Sequence, residues 1–389
     1  MNVKEILSLV PSSALKGLAI ETQVDYYSKK LQGEVIFKLI LHCILSMKEN
    51  SLRTIESAYE SLAFQALNKK SKHATVRYNS ISERLSVINV EYFEKLFFVC
   101  ISSYRNILGE ESDELIRFDS TIVGLSILLL DVGYSLGGDN SHLNQLKFTI
   151  GFSDIPEFVN FYTDKKYTSE NAALKESIYE HSESERGREL IRLFDRGISS
   201  RKTFDELVDK SISYVTRINP NAHYKQDTPN TIKQPVKTDS LMIISDSWGY
   251  LYGAEGKTKH RIRRIETVRV ENDERLTFIT NLTNADAKQV TEYYKKRWDI
   301  EVFFKFIKQH LNFSHLINRS ENGIKVILYI TMIAAILILA YKKTNGLKGF
   351  KIVKQKFIQE LEKEVVRDLI LLCGGNPEKL DEVLKNNSS

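Results

Sequence analysis

Tyr294, Arg297, Glu301 and Lys308 follow one another at steps of three, four and seven residues. On a helix turning ~100° per residue they fall within an arc of about 60° and face the same partner. A carboxylate, two cations and a phenol on one line can serve a hard cation and a phosphodiester together. The carboxylate ligates the ion, and the basic groups hold phosphate oxygens. The same spacing also suits an exposed helix laced by i,i+4 and i,i+7 ion pairs. Asp119 and Asp195 shift the balance: each closes a short apolar run, Leu115 to Phe118 and Leu190 to Phe194, that reads as a strand. Strand ends are rigid places to present ligands, and carboxylates drawn from distant segments are what a two-metal centre requires.

The elements that must position these groups can be read from periodicity. Residues 1 to about 110 read as a separate helical domain, with Val35, Ile36, Leu39, Ile40, Cys43 and Ile44 at three- and four-residue spacing. Within it Lys69, Lys70 and Arg77 lie on and after a basic stretch, with a helix expected from about Ser80. Two short helices flanking a basic turn would suit a helix-turn-helix DNA reader; a solvated loop between bundle helices is the alternative. Strands follow at Leu146 to Phe152 and Glu157 to Tyr162, then a polar tract from Thr163 to Glu189, a helix from Lys202 to Lys210 and a strand from Ile212 to Ile218. Pro220, Pro229 and Pro235 mark a linker, and Leu241 to Asn281 reads as a β-rich insertion. Lys257, Lys259, Arg261, Arg263 and Arg264 concentrate charge there, as a phosphate-contacting face or as the charged edge of a soluble strand. A long helix is expected from Ala285 to about Leu311 with Asn284 as N-cap. An apolar helix to Tyr341 and two short amphipathic helices complete the chain.

The spacing Tyr294-x2-Arg297-x3-Glu301-x6-Lys308 resembles the Y-(2)-R-(3)-E-(6)-K signature of the insertion-sequence-four family of bacterial DDE transposases at every position. Phe118-Asp119-Ser120-Thr121, Phe194-Asp195-Arg196-Gly197 and Leu276 to Asn281 are similar to the family as well, and the likeness spans about residues 30 to 345. The resemblance implies an α/β fold: an RNase H-like mixed sheet with helices, interrupted by a β-rich insertion and preceded by an all-helical DNA-binding domain. The expected division is 1–110 for that domain, 111–219 with 285–345 for the catalytic core, 220–284 for the insertion and 346–389 for a helical tail. Asp119, Asp195 and Glu301 are then the catalytic and metal-binding acids for two Mg²⁺ ions, with Mn²⁺ able to substitute. Tyr294, Arg297 and Lys308 contact DNA. By family analogy Trp248 would stack on a flipped base, although a core tryptophan is the simpler reading. Implied partners are double-stranded DNA, as transposon ends and target, and a second copy in a synaptic homodimer. A metal-dependent nuclease without strand transfer and a catalytically decayed DNA-binding protein keep the same residues and remain as alternatives.

Composition agrees with a globular enzyme without specifying one. The chain is 42% hydrophobic and 27% charged, far from the disordered class, and its formal net charge of +5 is a mild basic excess. Cys43, Cys100 and Cys373 are scattered and odd in number, without zinc-site spacing, and read as reduced thiols of a cytoplasmic protein; a bacterial, nucleoid-associated place is what the resemblance implies. The N-terminus carries no pattern of a secretion signal. Val326 to Tyr341 is apolar but short of the ~20 residues a membrane span needs, so a buried core helix and no membrane contact are expected.

Overall fold

The computed structural model describes residues 1–47, 50–68, 75–109, 114–124, 134–135, 144–184, 190–254, 256–313, 318, 320–380 and 382. The chain divides into two units, Ser112–Phe304 and a helical unit made of Met1–Glu111 with Lys305–Ser389. The helical unit opens with α1 (Val3–Leu7), α2 (Ser12–Glu21), α3 (Gly33–Ser46), α4 (Leu52–Glu60), α5 (Leu62–Leu67), α6 (Tyr78–Val87) and α7 (Val90–Leu108). Every residue of the apolar pattern from Val35 to Ile44 is buried on α3. Ser51 starts α4 with a capping box to Thr54, and the Asn89 side chain caps α7 by accepting from the Glu91 backbone N–H. Arg77 is the N-cap residue of α6, its exposed guanidinium 3.2 Å from Glu56; Lys69 and Lys70 lie outside the described residues.

The second unit is built on one mixed sheet. Its elements are β1 (Leu115–Gly124), β2 (Tyr134–Ser135), β3 (Asn144–Phe152), β4 (Pro156–Tyr162), α8 (Glu170–Ser182), β5 (Ile191–Phe194), α9 (Arg201–Asp209) and β6 (Tyr214–Ile218). They continue with β7 (Tyr224–Gln226), β8 (Val236–Lys237), β9 (Leu241–Gly253), β10 (Gly256–Lys257), β11 (Ile262–Arg269), β12 (Arg275–Thr280), α10 (Ala287–Lys295) and α11 (Trp298–His310). The main order is β4-β3-β1-β5-β6-β12-β11-β9. β1, β5 and β6 are parallel, whereas β3 runs antiparallel to β1, and β4 antiparallel to β3. The parallel steps are made by crossovers containing α8 and α9, as parallel pairing demands. This is the RNase H-like mixed α/β core that the sequence implies. The insertion strands do not form a separate sheet, because β12 hydrogen-bonds to β6 from Thr277↔Ile218 to Thr280↔Val215.

Each face of the sheet has its own core. Ile116, Phe118, Phe194, Tyr214 and Ile279 pack under α8 and α9, whereas Leu115, Leu193, Val215, Phe278 and Ile265 pack with Val290 and Tyr294 of α10. Alternation along the strands decides which residue meets which helix.

Three local expectations are corrected. The tract from Thr163 to Glu189 contains α8 rather than only a polar spacer. Ala173, Leu174 and Ile178, at helical spacing among Glu and Ser, suffice to seat it on the sheet. The helix expected from Ala285 to Leu311 is two helices. α10 is capped by Asp286 and Gln289, not by Asn284, and it ends where Arg297 N–H bonds to the Tyr294 carbonyl, three residues back. Finally, β1 does not stop at Asp119 but continues to Gly124 along β3; only its parallel pairing with β5 ends early, at Arg117.

The helical unit resumes with α12 (Glu321–Thr344) and α13 (Phe350–Leu372). α12 is 24 residues long, and its most apolar stretch has a mean hydropathy of 2.4, yet that stretch is 94% buried, packed with α3, α6, α7 and α13. It is a core helix, hydrophobic all round because it is surrounded. The tail expected as two short helices is led by the 23-residue α13.

Candidate active site

The register of three parallel strands assembles the polar centre. β1 pairs with β5 through Arg117↔Leu193, and two residues further this register sets Asp119 level with Asp195. β5 pairs with β6 through Phe194↔Thr216, and the next residues, Asp195 and Arg217, are joined by an ion pair of 3.2 Å. Asp119, Asp195 and Arg217 share the parity of Leu115, Leu193 and Val215, so all three lie on the face that α10 covers.

The helices approach that face through buried contacts. Tyr294 is only 8% exposed, packs its ring against Phe278 at 5.1 Å and donates its hydroxyl to Asp195 Oδ1 at 3.0 Å. Arg117, 2% exposed on β1, donates to the Lys296 carbonyl at 3.1 Å and reaches Asp299 at 3.4 Å. It therefore ties the joint between α10 and α11 to the strand that carries Asp119. Phe303 of α11 stacks on Phe152 of β3 at 4.6 Å. Glu301, in the first turn of α11 where the helix dipole favours an anion, is paired with Arg297 at 2.5 Å.

A cavity of about 520 Å³ opens over this centre, lined by Asp195, Arg217, Tyr294, Arg297, Trp298 and Glu301 and walled by Ser240, Arg269 and Glu271 of the insertion. Burial alone would raise the Asp195 carboxyl, but the Arg196 backbone N–H, the charges of Arg217 and Arg297 and the Tyr294 hydroxyl outweigh it, so its pKa is held below the usual aspartate value. Burial pushes the Tyr294 hydroxyl up to about 12, keeping it a neutral donor at physiological pH. Burial would lower Arg217 and Arg297; their negative neighbours reverse this and both stay firmly charged. Among the described residues the Nε atoms of Arg217 and Arg297 are buried without a hydrogen-bond partner. Two guanidiniums with an unused N–H beside one cavity form a receptor for an oxyanion.

Among the described residues no three His, Cys, Asp or Glu side chains are gathered closely enough to hold a metal ion. Asp195 and Glu301 share the cavity, and Asp119 is level with Asp195 on the neighbouring strand, half-buried, with Oδ1 accepting from the Ser120 N–H at 2.8 Å. The donor chemistry fits a hard divalent cation, since all three acids offer carboxylate oxygens. Glu301, however, is turned to Arg297 and Asp195 to Arg217.

The remaining sequence-predicted residues are dispersed. Lys308 is exposed on α11, two turns beyond Glu301. Arg263 is not a surface contact: it is 7% exposed and grips Asp246 through two hydrogen bonds of 2.8 and 2.7 Å. Arg261 pairs with Asp227 at 3.0 Å, Lys259 with Asp209 at 3.0 Å, and Lys257 sits 4.2 Å over the Tyr250 ring. Trp248 is half-buried in β9. Trp298, the first residue of α11, is 61% exposed at the cavity. Sequence reasoning missed Arg217 and Arg117, whose available signal was an arginine inside an otherwise apolar strand.

Comparison with known proteins comes to the same region. A family model described as a transposase DDE domain matches residues 138–337, just over half of the chain, which include Asp195 and Glu301 but not Asp119. A putative transposase for insertion sequence element IS4SA of Synechocystis is 23% identical over 77% of this chain and 78% of its own length. A putative transposase of Sinorhizobium fredii is 27% identical over 39% of this chain, an alignment that spans only 43% of that relative. Among solved structures, a piggyBac transposase synaptic complex with hairpin DNA aligns over 95% of this chain and 82% of its own, at 10% identity and a TM-score of 0.49.

Proposed function

From the premise that this chain belongs to the transposase DDE domain family, we propose that it is a DNA transposase that cuts at the ends of an insertion sequence and joins them to target DNA. The observation that carries the reading is the cavity in which Asp195 and Glu301 meet Arg217, Arg297 and Tyr294, with Asp119 level with Asp195. Acids alone would suit many hydrolases. Acids beside a buried Arg297 and a half-buried Arg217, both firmly charged, suit a polyanionic substrate cut at a phosphate.

Enzymes of this family use divalent metal ions, and here Asp119, Asp195 and Glu301 would hold two Mg²⁺, with Mn²⁺ able to replace them. When bound, such ions lend Lewis acidity to the attacking and leaving oxygens of an in-line displacement. The side chains do the rest. Arg217 and Arg297 neutralise the phosphate and fix its orientation, and Tyr294 holds the Asp195 carboxylate in one rotamer. Arg297 is the counter-ion of Glu301; a Glu301 carboxylate engaged by a cation would leave that guanidinium for the phosphate. Lys308 contacts the flanking backbone. The working form is a homodimer, since two ends must be held together, and its place is the bacterial cytoplasm, on the nucleoid.

The test is strand cleavage of a duplex bearing the terminal inverted repeat read from the DNA that flanks the gene. Glu301→Gln should bind this duplex and melt like the parent while Mg²⁺-dependent cutting falls below detection. Normal cutting by the folded variant would eliminate the site. Supplying pre-cut ends with a target plasmid separates transposase from nuclease, because only the former joins them.

A further inference from the structure

A second cavity, of about 470 Å³, adjoins the first, with Arg217 lining both. Its polar walls are Arg196 and Ser199 from the turn after β5, Arg201 at the start of α9, and Asn219 and Asn221 from the turn after β6; Ile198, Ile218 and Ala222 complete the lining. No acidic residue lines it among the described residues. The three guanidiniums are differently placed. Arg196 is exposed, and its backbone N–H is committed to Asp195 at 2.8 Å. Arg201 is fixed by its Nε–H to the Tyr252 carbonyl at 3.2 Å and by Nη1 to the Ser199 carbonyl at 2.7 Å. Arg217 spends one N–H on Asp195, and its buried Nε has no acceptor among the described residues.

Like charges crowded into one concavity without carboxylates repel, and the crowding is relieved by an anion. Two of these arginines are held rigidly by protein contacts, so their arrangement is already set before a ligand arrives. We propose that this second cavity is a backbone-phosphate site that holds the DNA strand next to the phosphate being cut. Arg217 bridges the two: it faces Asp195 on one side and Arg196 with Arg201 on the other. Beside arginine, serine and asparagine the lining holds Ile198, Ile218 and Ala222 but, among the described residues, no aromatic ring on which a base could stack, so it grips sugar-phosphate and reads no sequence. The inference rests on the transposase reading, and it assigns to Arg196 and Arg201 a positioning role outside the Y-R-E-K residues.

The experiment compares the full-length protein with R196A/R201A and R196K/R201K, all checked by thermal melting. Binding is measured against salt on two labelled duplexes, the terminal inverted repeat and an unrelated target sequence. The alanine pair should bind about tenfold more weakly for each arginine removed, and its log-log salt slope should be shallower by about one to two. The lysine pair should keep most of the slope. Loss confined to the terminal repeat places the contact on the transposon strand; loss on both duplexes places it on any DNA threaded past the acids. If the parent binds and cuts but the alanine pair keeps its affinity and slope, this inference falls while the transposase reading stands. Equal loss by the lysine and alanine pairs would assign the effect to packing and overturn it too. A parent that neither binds DNA with salt dependence nor cuts it would sink both.

Discussion

Replacing Arg263 by alanine should unfold the sheet more readily without touching DNA contacts. The guanidinium and the Asp246 carboxylate are 9% and 8% exposed, joined by hydrogen bonds of 2.8 and 2.7 Å. The pair is diagonal across β9 and β11, since Arg263 stands opposite Trp248 and Ile265 opposite Asp246. Arg263 also donates to the carbonyls of Leu282, at 3.2 Å, and Ala285, in the turn that leads into α10. Removing one member of such a buried pair leaves the other charged and unsatisfied, which costs about 3 to 5 kcal/mol. For a cooperative unit of this size that corresponds to a fall in Tm on the order of 10 °C. Differential scanning calorimetry and urea midpoints at fixed salt would read it. Replacing both partners, as in D246L/R263M, should recover much of the loss, because no orphaned charge remains. Binding of the terminal repeat by folded R263A should keep the parent's salt slope. A variant that melts within about 1 °C of the parent and yet loses affinity with a shallower slope would refute the structural role and restore Arg263 to the DNA-facing surface.

Other perturbations test separate parts of the fold. A Cβ on Gly249 would lie 2.2 Å from the Lys225 carbonyl oxygen, a backbone contact that cannot rotate away. Gly249→Ala should therefore push β7 from β9 and cost about 1 to 3 kcal/mol in urea denaturation; an unchanged midpoint would mean the strands separate freely. Lys354 is pulled down to about 8 by burial, its ammonium donating to the carbonyls of Ile44 and His310. With an unfolded value of about 10.4, the unfolded chain binds more protons between those limits, so stability should rise as pH climbs from about 8 to about 10.4. Lys354→Met should flatten that rise, as urea midpoints on either side of the window will tell. Tyr294→Phe removes the hydroxyl from Asp195 and leaves the ring on Phe278. Cutting should fall by about tenfold or less at an unchanged Tm, and total loss would make the tyrosine more than an orienting group.

The strands that carry Asp119 and Asp195 were legible because their surroundings are simple: a short apolar run reads as a strand, and Tyr294 to Lys308 carries its spacing openly. Sheet continuity was hidden. That β12 pairs with β6, making the insertion an extension of the core sheet, depends on pairing between segments separated by a long linker. The break at Lys296 and Arg297 left no glycine or proline to announce it. It is held by Arg117 bonding to the Lys296 carbonyl, a contact from 179 residues away in the chain. The basic run from Lys257 to Arg264 misled in one respect: two-residue spacing predicts a shared face but not whether that face is wet. Asp246, which draws Arg263 inward, lies on another strand.

Because β12 is hydrogen-bonded into the sheet just upstream of α10, the alignment of one edge-to-edge seam governs where the catalytic helices begin. Deleting a single residue from β12 would turn Phe278 to the opposite side and withdraw the floor beneath Tyr294. A deletion of the same length among the prolines before Ser240 would be absorbed as slack. Natural variation in length should accordingly gather in that loop and spare the six residues of β12.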